Sequence, residues 1–185
     1  HHPAFNRVPC ELPVKIKSHL IIKYSQICRD FERELIIMGK KKLFNDPIYG
    51  LVDFKDEVVY ELIDQAHFQR LRRIRQMGLS DYVYAGATHP RFQHALGATH
   101  LLYRALDTLV SKGVEITYEE RQAAAMAILY HDIGHGPFSH ALEGKLIPKS
   151  HEALTLAFLK KVENNYGKVG ALAMQIFEGR YEKKF

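Results

Sequence analysis

The sequence predicts an all-α, mainly helical fold with a small β element near the N-terminus. Three observations carry this. From Glu57 onward apolar residues recur at intervals of three and four. Thr117 and Glu120 spell the T-x-x-E capping box that opens a helix. "FNDPIYGLVDF", Phe44 to Phe54, reads as turn chemistry between two short β-prone pieces, with Pro47 and Gly50 as its punctuation.

Each element follows in order. Residues 1–37 read as an N-terminal extension: either tag-derived or misassigned upstream sequence, given the opening His-His and a natural start at Met38, or a genuine helical arm. Val58, Val59, Leu62, Ile63, Ala66, Leu71, Ile74 and Met77 predict one helix from Glu57 that stops at Gly78. "DYVYAGATHP" predicts a strand-like or turn segment closed by Pro90. A second helix is expected over 91–111, with Leu101, Leu102, Ala105 and Leu109 on its apolar side. The third begins after Thr117 and is apolar nearly all round beyond Arg121, the pattern of a central helix. Ser150 caps a fourth, "HEALTLAFLKKVENN", and "KVGALAMQIFEGRY" makes a fifth.

Composition narrows the function. The chain has 185 residues and is 46% hydrophobic, enough for one domain with a real core. Residues 1–42 hold nine Lys/Arg against four Asp/Glu, whereas the remainder holds seventeen of each, so the formal charge of +5 belongs to the N-terminal segment. A reader of nucleic-acid phosphates usually shows a basic face; here only "RLRRIRQ", Arg70 to Gln76, is locally basic. No apolar run approaches a membrane span and no secretory signal pattern opens the chain, so the expectation is a cytoplasmic protein with no membrane partner. Cys10 and Cys28 fit no metal spacing and are expected to be reduced.

The chemistry gathers at "YHDIGHGPFSH", residues 130–140, where an apolar helix ends among glycines. Neighbouring helical side chains point about 100° apart, so His131 and Asp132 can grip one ion only near the helix end. A bare carboxylate following "AAAMAILY" needs a partner, because burial would otherwise raise its pKa. A divalent cation is one partner; an arginine or a neighbouring helix N-terminus is another. His94 shares a helix face with Ala98 and Leu101 and should look inward, where alone it reads as a core histidine bonded to a carbonyl. His135, His140 and His151 taken singly read equally well as surface residues.

"RFQHALG" followed by "HDIGHGPFSH" resembles the HD-domain metal-dependent phosphohydrolases. The preceding "FNDPIYG", "IDQAHFQRLRRIRQMG" and "YAGATHPRFQHALG" resemble, in that order, the branch of deoxynucleoside triphosphate triphosphohydrolases. The resemblance implies an HD domain over 38–185, cut short on its C-terminal side, with His94, His131 and Asp132 as three of four metal ligands. The fourth, a distant Asp, has no counterpart here, because Glu163, Glu178 and Glu182 stand in other contexts. It further implies that His135 and His151 lie near substrate phosphates, that His140 protonates the leaving oxygen, that Arg91 faces the nucleotide and that Gln76 faces the sugar. Asp64, Gln69 and Arg72 match a regulatory nucleotide site in a mammalian member. Leu51 replaces a histidine of that site, and an ordinary solvated helix face is the reading adopted for the three residues.

The cofactor implied is a divalent transition metal (Fe, Mn, Zn or Ni), since imidazole and carboxylate donors suit these ions better than Ca. Such an ion neutralises phosphate charge and lowers the pKa of its water. The expected partner is a nucleotide or other phosphorylated small molecule, with a homo-oligomer suggested by surplus apolar helix surface. Two alternatives stand beside this: a non-catalytic nucleotide-binding or regulatory HD protein, and a nucleic-acid-binding protein or nuclease.

Overall fold

The computed structural model describes residues 42–183, without the Ser139 side chain. The extension expected over 1–37, the start at Met38 and both cysteines lie outside the described residues. Phe44–Asp46 (β1) and Gly50–Val52 (β2) form the expected hairpin, antiparallel with Phe44 opposite Val52 and Asp46 opposite Gly50. Oδ1 of Asp46 accepts the backbone N–H groups of Ile48 and Tyr49 at 2.8 and 3.0 Å, which folds the turn back on itself. Gly50 closes it at φ 73°, a conformation that costs glycine nothing.

Glu57–Asp64 (α1) buries Val58, Val59, Leu62 and Ile63. The single helix expected from Glu57 to Gly78 is corrected here. Gln65 leaves helical space at ψ 135°, Ala66–Gln69 (α2) follows, and a 3-10 turn at Arg70–Arg73 ends at an extended Ile74. The apolar spacing survives the break because Phe68, Leu71 and Ile74 must still be buried. The Gln69 amide donates to the Ile63 carbonyl at 2.7 Å, satisfying an acceptor at the broken helix end. Residues 79–90 are turns with a short 3-10 helix at Ser80–Tyr82, and Arg75 and Pro90 meet in an isolated bridge.

Arg91–Ser111 (α3) has the expected bounds, but its buried face is Phe92, Ala95, Leu96, Thr99, Tyr103 and Leu106. Leu101 and Leu109 are exposed, since the helix carries two apolar stripes and the core covers only one. Tyr118–Tyr130 (α4) starts at the expected capping box, with Thr117 Oγ1 accepting from Glu120 N and Glu120 Oε2 from Thr117 N. This helix is central: it packs against α3 and His151–Phe177 (α5) and buries Ala123, Ala125, Met126, Leu129 and Tyr130. Ser150 caps α5 through the Ala153 N–H. The expected fourth and fifth helices are its two halves, meeting at Gly167 with φ 53° and ψ −121°. Among the described residues no helix is long and apolar enough to cross a membrane.

Candidate active site

The end of α4 is held on three sides. Tyr130, fully buried, stacks on Phe68 at 5.7 Å between ring centroids and donates its hydroxyl to the Leu62 carbonyl. The Arg70 guanidinium reaches the carbonyls of Ile133 and His135. Gly134 lies against the first turn of α5, where its N–H donates to Thr155 Oγ1 at 3.0 Å. A Cβ at Gly134 would stand 2.0 Å from the His151 carbonyl oxygen, so only glycine permits this approach. Residues 131–135 are thereby fixed by bonds to backbone and by buried contacts, as a site requires.

His94 from α3 and His131 from the end of α4 meet with their Nε2 atoms 3.1 Å apart. His131 Nδ1 lies 2.6 Å from the Ile128 carbonyl, so that nitrogen carries the proton and Nε2 presents a lone pair. Asp132 approaches with Oδ1 3.5 Å from His131 Nε2 and Oδ2 3.8 Å from His94 Nε2. These separations are all shorter than two metal–ligand bonds of about 2.1 Å each. Two imidazoles and a carboxylate form a donor set that fits one divalent transition metal, and among the described residues the three form such a cluster.

Asp132 also realises the alternative its burial raised: Arg91, nearly inaccessible, pairs with its Oδ2. Burial pushes the Asp132 carboxyl up, but His131 and Arg91, with His135 and His94 behind them, outweigh it and hold it below its ordinary value. His94 is held low by burial first and by His131 second. Its ring is 39% exposed. The expectation of an inward-looking His94 is corrected: His94, Ala98 and Leu101 share a face, and it lines an open cleft of about 690 Å³.

A second imidazole cluster adjoins the first. His135 and His151 stack at 3.9 Å, and His140 packs edge-on to both, at 5.1 and 4.9 Å. His135 is buried, and burial, with Arg91 next, drives its pKa well down, so the ring is neutral near pH 7. His140 is exposed and His151 partly so. The residue that organises them is one sequence reasoning missed. Glu143 accepts from His140 Nδ1 at 2.8 Å through one oxygen and from His151 Nδ1 at 2.7 Å through the other. The His140 bond foremost and the His151 backbone N–H next, with the His151 ring behind them, hold its acidity at about 2. Its i+3 spacing from His140 was the available signal. Arg70 carried none, because its carbonyl partners lie 63 and 65 residues away.

Gln76 lines a neighbouring cleft of about 390 Å³ together with His140, Met77, Leu79 and Phe138. Its Oε1 and His135 Nδ1 are buried without a protein partner among the described residues, which leaves polar atoms for a ligand to satisfy. Asp64 pairs with Lys42, Arg72 donates to Gln69 Oε1 and lies 3.7 Å over the Phe92 ring. Glu163, Glu178 and Glu182 join none of the metal-type clusters among the described residues.

The chain is 39% identical over 146 residues to the deoxynucleoside triphosphate triphosphohydrolase SAMHD1 of Mus musculus, covering 69% of this chain and 22% of that protein. Against the Homo sapiens protein of the same name the values are 43% over 109 residues, 58% and 17%. The chain thus spans about a fifth of the length of these curated relatives. A crystal structure of a phosphohydrolase from Bacteroides thetaiotaomicron superposes with a TM-score of 0.73 at 43% identity, covering 78% of this chain and 36% of that one. Residues 91–182, the stretch that contributes His94, His131, Asp132 and the second imidazole cluster, match the HD domain, and the chain belongs to the HD-domain family.

Proposed function

We propose that this chain carries the catalytic centre of a metal-dependent phosphohydrolase acting on nucleotides, most specifically deoxynucleoside triphosphates. The single observation that carries the reading is the convergence of the His94 and His131 Nε2 atoms on Asp132. His94, His131 and Asp132 would hold a divalent transition metal, Fe, Mn, Zn or Ni. Bound there, such an ion supplies positive charge against a phosphoryl oxygen and acidifies water.

The protein's own groups do the rest. Phosphate resists attack because it is anionic, so positive or proton-donating groups must face its oxygens. Arg91, His135 and His151 would take that task, Arg91 while bound to Asp132 and His151 while bound to Glu143. His140 is exposed at the cleft shared with Gln76, where it donates a proton to the departing oxygen and Gln76 contacts the sugar. The similarity to enzymes named for deoxynucleoside triphosphates supports that substrate class. A cytoplasmic location suits it, and a homo-oligomer accords with the exposed apolar face of α3.

The test is metal content together with phosphate or triphosphate release from deoxynucleoside triphosphates, compared between the wild type and His131→Ala. Unchanged metal and turnover would refute the assignment. A non-catalytic nucleotide-binding module is favoured by one observation, that no second carboxylate joins the His94–His131–Asp132 cluster among the described residues. It predicts nucleotide-induced thermal stabilisation without hydrolysis.

A further inference from the structure

We infer that Thr155 is a positioning residue that sets the register between the metal-ligand pair His131–Asp132 and the phosphate-facing His151. The inference rests on the functional reading above. Thr155 lies one turn after His151 on α5 and is completely buried. Its hydroxyl accepts from the Gly134 N–H at 3.0 Å and donates to the His131 carbonyl at 3.3 Å.

A hydroxyl has one proton to give, and here it goes to the backbone of a candidate ligand. One side chain therefore ties both ends of the turn 131–134, with Asp132 inside it, to the helix that begins at His151. Gly134 is pressed on the same helix turn, so the loop has no room to slide toward α5. Away from α5, the two bonds of Thr155 resist displacement. Losing the hydroxyl leaves a buried N–H and a buried C=O without that partner, and the loop can regain bonds only by moving.

The experiment compares Thr155→Val, which keeps the shape and removes both bonds, with Thr155→Ser, which keeps the hydroxyl. Leu159→Ala, a buried residue one turn further along α5, controls for lost stability alone. Two quantities are read: Co(II) affinity by absorption titration, and the imidazole nitrogen shifts of His131 and His151 in metal-free protein by NMR. The valine variant should lose about 10-fold or more in Co(II) affinity, the scale of losing a partner behind a ligand. It should also displace the shifts of both rings, and serine should restore both quantities. Leu159→Ala should lower the melting temperature and change neither.

Val-like behaviour in Leu159→Ala, failure of serine to rescue, or wild-type readings in the valine variant would each overturn the inference. Should the valine variant not fold, Thr155→Cys, with its weak S–H donor, provides the same comparison. Wild-type protein that binds no Co(II), while the valine variant still displaces both rings, would sink the metal reading and leave the tie standing.

Discussion

His94 Nε2 and His131 Nε2 face each other at 3.1 Å from two different helices. Because neutral His131 carries its one proton on Nδ1, toward the Ile128 carbonyl, the contact needs either a proton on His94 or a shared cation. Asp132, three imidazoles and Arg91 all crowd the same point. His131→Ala should accordingly remove bound metal and reduce turnover by at least about 100-fold, the upper end of what losing a mere second-layer partner costs. Elemental analysis and phosphate release check it together.

Glu143→Gln separates the two imidazole clusters. It leaves the metal ligands intact but replaces a carboxylate that accepts from both His140 and His151. Activity should fall roughly 10- to 100-fold at unchanged metal stoichiometry. Loss of metal in step with activity would contradict this division of labour.

The two glycines of the histidine loop should respond to very different degrees to alanine. At Gly134 the new Cβ meets backbone, the His151 carbonyl at 2.0 Å and Thr155 N at 2.7 Å, so the helix or loop must move. A cost above about 3 kcal/mol is expected, beyond ordinary overpacking. At Gly136 the neighbour is the tip of the Ile147 side chain, 2.9 Å away, which can rotate. Thermal melts of both variants measure the difference.

Acid stability should carry the signature of Glu120. Lys183 first and Tyr181 next, with the Thr117 cap, hold its acidity at about 2 against the opposing effect of burial. Its stabilising contribution is complete above the unfolded-state value of about 4.3 and is lost as pH falls toward 2. Glu120→Gln should flatten that part of the stability curve. Thr117→Ala should cost about 1 kcal/mol at neutral pH through the lost cap. Denaturant titrations between pH 2 and 7 read both.

Nucleic-acid binding is tested by salt. A phosphate-tracking surface loses affinity steeply as ions are added, whereas the residues after 42 carry equal numbers of opposite charges. Weak duplex binding with a nearly flat salt dependence is expected. A steep log–log slope would restore the nuclease alternative.

Legibility differed by element for physical reasons. The starts of α3, α4 and α5 were readable because caps are local: Pro90, Thr117 and Ser150 act within three or four residues of themselves. The break at Gln65 was not, since burial of Phe68 and Leu71 preserves helical spacing across it. The kink at Gly167 was readable as a boundary between two helices. The buried stripe of α3 was misread because Leu101 and Leu109 are as apolar as the residues the core selects.

By itself the sequence determined the residue types of the site, its placement at the end of an apolar helix, and the mainly helical class, all of which follow from short-range spacing. Only the tertiary structure decided that Asp132 is shared between Arg91 and the imidazoles, that Glu143 bridges two histidines, and that His94 opens onto a cleft. Those outcomes depend on contacts between residues up to 41 positions apart in the chain, where distance in space is set by how α3, α4 and α5 pack.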